Sequence, residues 1–266
     1  MLARPLRFLN AVVPTPRAHR ELAVPYGPEP RHRLDVYRPR RSTGPSPLVV
    51  FFYGGSWQWG ARSDYAFAGR ALAGAGFVGV VADYGTYPPH AFPTFLEDGA
   101  RAVDWARRNA AELGGDAARI FLMGHSAGAH IAVMLVADDR FLGAVGISAR
   151  EIRGVIGLAG PYDFLPLRDP ALIALFGAED GHARTQPMHH VNGDEPAMLL
   201  LHGGADETVG AGNSKRLAAR VRERGGSAEV KIYPRVGHAG ILLALAPAFR
   251  FWAPVVRDVA RFVRDS

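Results

Sequence analysis

Ile120-Phe121-Leu122-Met123-Gly124-His125-Ser126-Ala127-Gly128-Ala129-His130-Ile131-Ala132-Val133-Met134-Leu135-Val136-Ala137 decides the reading of this chain. Ile120 to Met123 is an apolar, strand-like run. Ala129 to Ala137 reads as a helix, and the pattern G-x-S-x-G stands between them. A sharp strand-to-helix turn lifts one serine hydroxyl out of a sheet, and glycines on either side keep the strained turn free of Cβ clashes. A helix that starts just after the serine turns its free N–H groups and positive dipole end toward a developing oxyanion. In a chain with 31 glycines the pattern alone also fits a small-residue turn that packs a helix on a strand. The flanking strand and helix favour the other reading, with Ser126 as a nucleophile.

Outward from this turn, apolar runs alternate with helical ones. Arg33–Tyr37 alternates like a strand, and Leu48–Tyr53 is a continuous apolar run suited to a strand buried on both faces. Tyr65–Ala75 reads as helix, Phe77–Ala82 as strand and Phe92–Leu113 as a long amphipathic helix stopped by Gly114-Gly115. Beyond the serine turn come strands at Ile152–Leu158, Ala197–His202 and Ala228–Tyr233, a helix at Ala211–Arg224, and a C-terminal helix from about Ala248 to Val263, interrupted near Pro254. This order predicts an α/β fold with a mostly parallel central sheet and helices on both faces, its site at the C-terminal ends of the strands. Residues 1–266 read as one domain. Residues 1–30, rich in proline and arginine, read as an N-terminal arm with a helical turn near its start. Residues 161–195 break the alternation and read as a small helical cap.

A serine hydroxyl needs a base, and the base needs a group to hold it. Leu199-Leu200-Leu201-His202-Gly203-Gly204-Ala205-Asp206 is a strand running into a glycine turn that presents Asp206. Val230-Lys231-Ile232-Tyr233 is a strand whose following loop presents His238. The order serine, acid, histidine is the one this architecture requires. Asp206 competes with Glu207 and with Asp180 of the cap, and a turn aspartate can also serve its own backbone. His125, beside the serine, is placed to wall the site. His202 ends its strand, His130 lies on the helix after the serine, and His182, His189 and His190 lie in the cap. No pair of histidines has metal-ligand spacing beside a carboxylate, so no metal is expected.

Tyr53-Gly54-Gly55-Ser56-Trp57 follows the first buried strand. Its glycines let backbone N–H groups of Gly55 and Ser56, with that of Ala127, point at a substrate oxygen. Tyr53 and Trp57, with His125, are the candidate substrate-binding side chains, and the aromatics among them serve a core equally well.

The formal charge is +6, and nearly all of the basic residues are arginine; Lys215 and Lys231 are the only lysines. The arginines are scattered, without a basic stripe interleaved with aromatics, which argues against nucleic-acid binding. No apolar run is long enough to span a bilayer. With no cysteine there are no disulfides. The first ten residues mix arginine into their apolar stretch and carry no clean hydrophobic region, so a cytoplasmic location is expected.

Taken with these residues, the chain resembles the α/β-hydrolase superfamily, and within it the carboxylesterases of the hormone-sensitive-lipase and arylformamidase-like (BD-FAE-like) groups. The resemblance runs from about Leu34 to Val263. It is carried by Leu34-Asp35-Val36-Tyr37, by Tyr53-Gly54-Gly55-Ser56-Trp57 at the family's His-Gly-Gly-x-(Trp) loop, by Asp83-Tyr84 followed by Phe92-Pro93 and Glu97-Asp98, and by Gly124-His125-Ser126-Ala127-Gly128. It implies an α/β-hydrolase fold and ester or amide hydrolysis through an acyl-enzyme, with no cofactor. Ser126, His238 and Asp206 would be catalytic, and Gly55, Ser56 and Ala127 would form the oxyanion hole. Short-chain acyl esters are the substrate that a small cap implies; the rivals are an arylformamidase or other small amidase, and a non-catalytic binding scaffold of the same fold. The partner expected is a small-molecule ester, and a homodimer is compatible with the sequence. Two positions depart from the family: Tyr53 replaces the loop histidine, and Gly85 stands where an arginine commonly follows Asp-Tyr.

Overall fold

The computed structural model describes residues 18–266. An eight-stranded sheet runs through the molecule in the order β1-β2-β4-β3-β5-β6-β7-β8. Its strands are β1 (His19–Pro25), β2 (Arg33–Arg38), β3 (Ser46–Phe52), β4 (Val78–Ala82), β5 (Gly115–His125), β6 (Ile152–Leu158), β7 (Met198–Gly203) and β8 (Ala228–Tyr233). The pairs β1–β2 and β2–β4 are antiparallel, and every other pair is parallel. Every residue of β3 and β4 is buried, as expected of parallel strands covered by helices on both faces.

The helices are α1 (Ala66–Gly74), α2 (Thr94–Arg108), α3 (Ala127–Ala137), α4 (Asp139–Gly143), α5 (Pro170–Phe176), α6 (Gly212–Glu223), α7 (His238–Leu243) and α8 (Val255–Asp265). All eleven residues of α3 are buried. Its sequence is apolar around the whole circumference, so it can exist only with neighbours on every side. It packs on β5 and β6 beneath α2 and the cap.

The expected strands and helices are present, with shifted ends. β5 extends to Gly115 at one end and His125 at the other, and the long helix ends at Arg108 because residues 109–113 form turns. Within the expected arm, His19–Pro25 is an edge strand; the helical turn expected near the start lies outside the described residues. The segment 161–195 contains α5 and two short 3-10 turns, at Glu179–Thr185 and Pro187–His189, and packs against Trp57 of the loop after β3 and against His130 of α3. Three histidines bond to its backbone carbonyls, one reaching in from α3 and two from within the segment. His130 Nε2 of α3 donates to Thr185 O at 2.7 Å, and His182 Nε2 to Gly177 O at 2.7 Å. His190 Nε2 donates to Arg184 O at 2.8 Å. No described helix is long and apolar enough to cross a membrane.

β4 lies on one side of β3 and β5 on the other, so the chain changes direction between β3 and β5. A crevice forms at the C-terminal ends of strands at such a switch point. The loop after β3 and the turn after β5 flank it.

Candidate active site

Ser126 occupies the turn between β5 and α3 with φ 54° and ψ −121°. This is a strained conformation for a residue with a Cβ, costing on the order of 1–3 kcal/mol, and the surroundings enforce it. The Ser126 N–H donates to Leu158 O of β6 at 2.9 Å. A Cβ on Gly124 would stand 2.1 Å from Gly128 O, and one on Gly128 would stand 2.0 Å from Phe52 O. The two glycines are thus required by backbone packed against backbone. Ser126 is half-buried while its neighbours His125 and Ala127 are buried.

The loops after β7 and β8 bring the two expected partners to this hydroxyl. His238 Nε2 lies 3.0 Å from Ser126 Oγ, and His238 Nδ1 lies 2.8 Å from Asp206 Oδ2. Nδ1 donates to the carboxylate, which leaves Nε2 as the acceptor for the serine proton. The other oxygen, Asp206 Oδ1, accepts the N–H groups of Thr208 and Val209 at 2.9 Å each. Burial would raise the Asp206 carboxyl. Hydrogen bonds from His202, His238 and the Val209 N–H outweigh that and hold it well below the usual carboxylate range. The competing acids, Glu207 and Asp180, are exposed.

His202 is a further member of this network. It is fully buried; its Nε2 lies 2.8 Å from Val209 O and 3.3 Å from Asp206 Oδ2, and its Nδ1 lies 2.7 Å from Ser214 Oγ of α6. Two acceptors at Nε2 place the proton there, so Ser214 donates to Nδ1. The link to Ser214 joins two elements that no local pattern connects.

His125 sits beneath the serine turn. Its Nε2 donates to His238 O at 3.0 Å, and its ring centroid is 4.9 Å from that of His238. Burial, reinforced by the neighbouring His238, pushes His125 down to about 3, and burial pushes His130 down to about 4. Both rings are neutral at pH 7. His125 therefore braces the His238 loop without adding charge to the site.

The loop after β3 closes on the serine turn. A Cβ on Gly54 would lie 2.8 Å from His125 Nδ1 and 3.1 Å from Ser126 Cβ. Gly55 has φ 139°, and a Cβ there would stand 1.9 Å from Trp59 O. Among the described residues, the N–H groups of Gly55, Ser56 and Ala127 donate no hydrogen bond. The loop is fixed from behind by a stack of tyrosines. Tyr53 lies between Tyr65 and Tyr84, with centroids at 5.1 and 4.6 Å, and its hydroxyl lies 3.1 Å from Asp83 Oδ1. Tyr84 donates to Tyr53 O at 2.7 Å and Tyr65 to Gly54 O at 3.1 Å. Arg62 adds an ion pair to Asp83 and one to Asp35. Tyr53 is thus a buried brace of the loop. At the second departure, the Gly85 N–H donates to Asp98 Oδ2 at 2.8 Å, and Arg31 and His32 fill the rest of that carboxylate.

Trp57 is buried in an aromatic cluster, with its centroid 4.9 Å from Phe176, 5.0 Å from His130 and 5.8 Å from Phe164. Its indole N–H has no partner among the described residues. The cluster joins α3, α5 and the loop after β3 directly behind the serine turn.

The family model BD-FAE matches residues 34–221. The chain belongs to the BD-FAE family. It is 29% identical over 243 residues to the probable isoprenylcysteine alpha-carbonyl methylesterase ICMEL1 of Arabidopsis thaliana, an alignment covering 83% of this chain and 51% of that protein. It is 31% identical over 219 residues to esterase LipC of Mycobacterium tuberculosis, covering 75% and 54%. It is also 32% identical over 144 residues to kynurenine formamidase of Danio rerio, covering 54% and 47%. The chain thus spans about half the length of the curated relatives it matches. Among solved structures, a truncated carbohydrate esterase from gut microbiota superposes with a TM-score of 0.81 at 20% identity, covering 95% of this chain and 99% of that one. That likeness gives the fold, an α/β-hydrolase.

Proposed function

We propose that this protein is a serine hydrolase that cleaves carboxylic esters, with short acyl chains preferred, through an acyl-enzyme. The observation that carries the reading is the continuous chain Ser126 Oγ, His238 Nε2, His238 Nδ1 and Asp206 Oδ2, with spacings of 3.0 and 2.8 Å. Ser126 attacks the acyl carbonyl as His238 takes its proton. Asp206 holds the imidazole in the Nδ1–H tautomer and stabilises its charged form. The N–H groups of Gly55, Ser56 and Ala127 receive the oxyanion, a contribution for which one lost donor typically costs about a hundredfold or more. His238 then protonates the leaving alcohol, and water, activated by the same imidazole, hydrolyses the acyl-enzyme. The esterase names of the relatives ICMEL1 and LipC support this class of reaction.

A second reading, hydrolysis of a small formamide, is favoured by the likeness to kynurenine formamidase. It uses the same machinery, and the pocket decides between the two. Turnover of p-nitrophenyl acetate, butyrate and octanoate beside N-formylkynurenine separates them. The proposal expects acetate or butyrate to be fastest and Ser126→Ala to fall to background. Formamide turnover exceeding every ester would favour the second reading. An active, folded Ser126→Ala would defeat both.

A further inference from the structure

A cleft of about 780 Å³ opens between α2, α4 and the cap. Neither Ser126 nor His238 lines it. Its volume lies within the ~300–1,000 Å³ typical of small-molecule sites. Phe92, Phe141 and Phe176 give it an aromatic wall, and Arg101, Arg140 and Arg184 give it cations from three separate elements. Glu97 is its one acid. Arg140 is already engaged, with its Nε and Nη2 on Asp138 at 2.8 and 2.5 Å. Among the described residues, Arg101 and Arg184 have no carboxylate within ion-pair distance. Glu97 stands one helical turn before Arg101 and does not pair with it. Two guanidiniums without a carboxylate partner thus line one cleft, together with three phenylalanines.

We propose that this cleft is a second ligand site, separate from the Ser126 pocket, for a planar apolar body bearing one carboxylate. The carboxylate is held by Arg101 and Arg184 and the ring lies against Phe92 and Phe176. A guanidinium fork matches a carboxylate in plane and in charge, and aromatic walls select a flat apolar body over a bare inorganic anion. The walls also connect this site with the other. The Phe92 N–H donates to Leu175 O at 3.0 Å, tying α5 to the loop before α2, and Phe176 packs edge-on against Trp57 at 4.9 Å. An occupant bridging Arg101 of the body and Arg184 of the cap fastens that seam.

The test is equilibrium binding of 2-naphthoate, followed by its own fluorescence anisotropy, to the full-length protein with Ser126 blocked by a phosphonylating reagent. The Ser126→Ala variant serves as a second form if the reagent does not react. Neither form relies on turnover, so failure here is distinct from failure of the hydrolase reading. The expected result is one-to-one binding that weakens about tenfold or more in the double variant Arg101→Gln, Arg184→Gln, and by a similar factor when neutral 2-naphthalenemethanol replaces the acid. Both arginines are exposed, so the double variant should keep the native melting temperature. Equal binding by native protein and double variant would overturn the proposal, as would equal binding of acid and alcohol. So would the absence of naphthoate binding, including the case in which anionic vesicles bind through the same arginines.

Discussion

His202 Nε2 lies 3.3 Å from Asp206 Oδ2, the oxygen that also accepts the Nδ1–H of His238 at 2.8 Å. The acid is therefore held by two imidazoles, one facing the serine and one buried behind it. His202 has no hydrogen bond to the serine; in the proposed mechanism it positions Asp206 and keeps it ionised. Replacing His202 by phenylalanine should lower kcat and leave KM nearly unchanged. The loss is capped near a hundredfold, because a hydrogen bond to a charged group is worth about 1.5–3 kcal/mol. A rise in KM with unchanged kcat in steady-state kinetics would show that His202 shapes the pocket instead.

The serine turn makes a sharp prediction about stability. Gly128→Ala places a methyl group 2.0 Å from Phe52 O and 2.5 Å from Tyr53 O, both backbone atoms. It should destabilise by about 3 kcal/mol or more, at or beyond the upper end for overpacking. Gly143→Ala in α4 meets nothing within 4 Å and should be neutral or slightly stabilising. Urea unfolding of the two variants reads the contrast.

Stability should also depend on pH through the two buried histidines. Burial brings His130 down to about 4 and, with His238 beside it, His125 down to about 3. An unfolded histidine takes up its proton near pH 6.5, so in this window the unfolded state binds more protons than the folded one. The folded state is thus fully favoured above about pH 6.5 and loses stability as pH falls toward 4. At pH 4.5 each ring should cost on the order of 2 to 3 kcal/mol relative to pH 7. In His130→Phe the difference between unfolding free energies at pH 7 and pH 4.5 should shrink by about 2 kcal/mol. An unchanged difference would show that His130 keeps its proton out for no energetic consequence.

The loop tyrosine can be tested by removing one atom. Tyr53→Phe keeps the stack with Tyr65 and Tyr84 and loses only the bond to Asp83, which retains the Arg62 side chain and N–H. The expected cost is about 1–2 kcal/mol in stability, with ester turnover within a few-fold of native. Tyr53→His breaks the stack and should cost more on both measures. Thermal unfolding and p-nitrophenyl acetate turnover check the pair.

Much of the arrangement was legible in the sequence because it rests on local patterns. The fully apolar β3 and β4, the glycine-framed Ser126 and the strand-end positions of Asp206 and His238 each follow from a run and a turn within a few residues. β1 escaped because it is an exposed edge strand. Its alternation is broken by a register shift between Glu21 and Val24, with Ala23 at φ 57°. α7 escaped because it spans only six residues and starts at His238 itself. Contacts between distant elements, such as His202 with Ser214 or Trp57 with Phe176, leave no pattern in either segment. The histidine content of residues 161–195 was visible, but not that His182 and His190 bond to carbonyls within the segment while His130 of α3 ties it to the body.

The central claim is that Ser126 forms a covalent bond with the substrate's acyl group. The most direct measurement is the intact mass of the protein after brief exposure to a phosphonylating ester mimic, followed by peptide mapping of the adduct. The account predicts one adduct per chain, on the peptide containing Ser126, with parallel loss of ester turnover and no adduct in Ser126→Ala. An adduct on another residue, or full turnover in a protein whose Ser126 is modified, would contradict it.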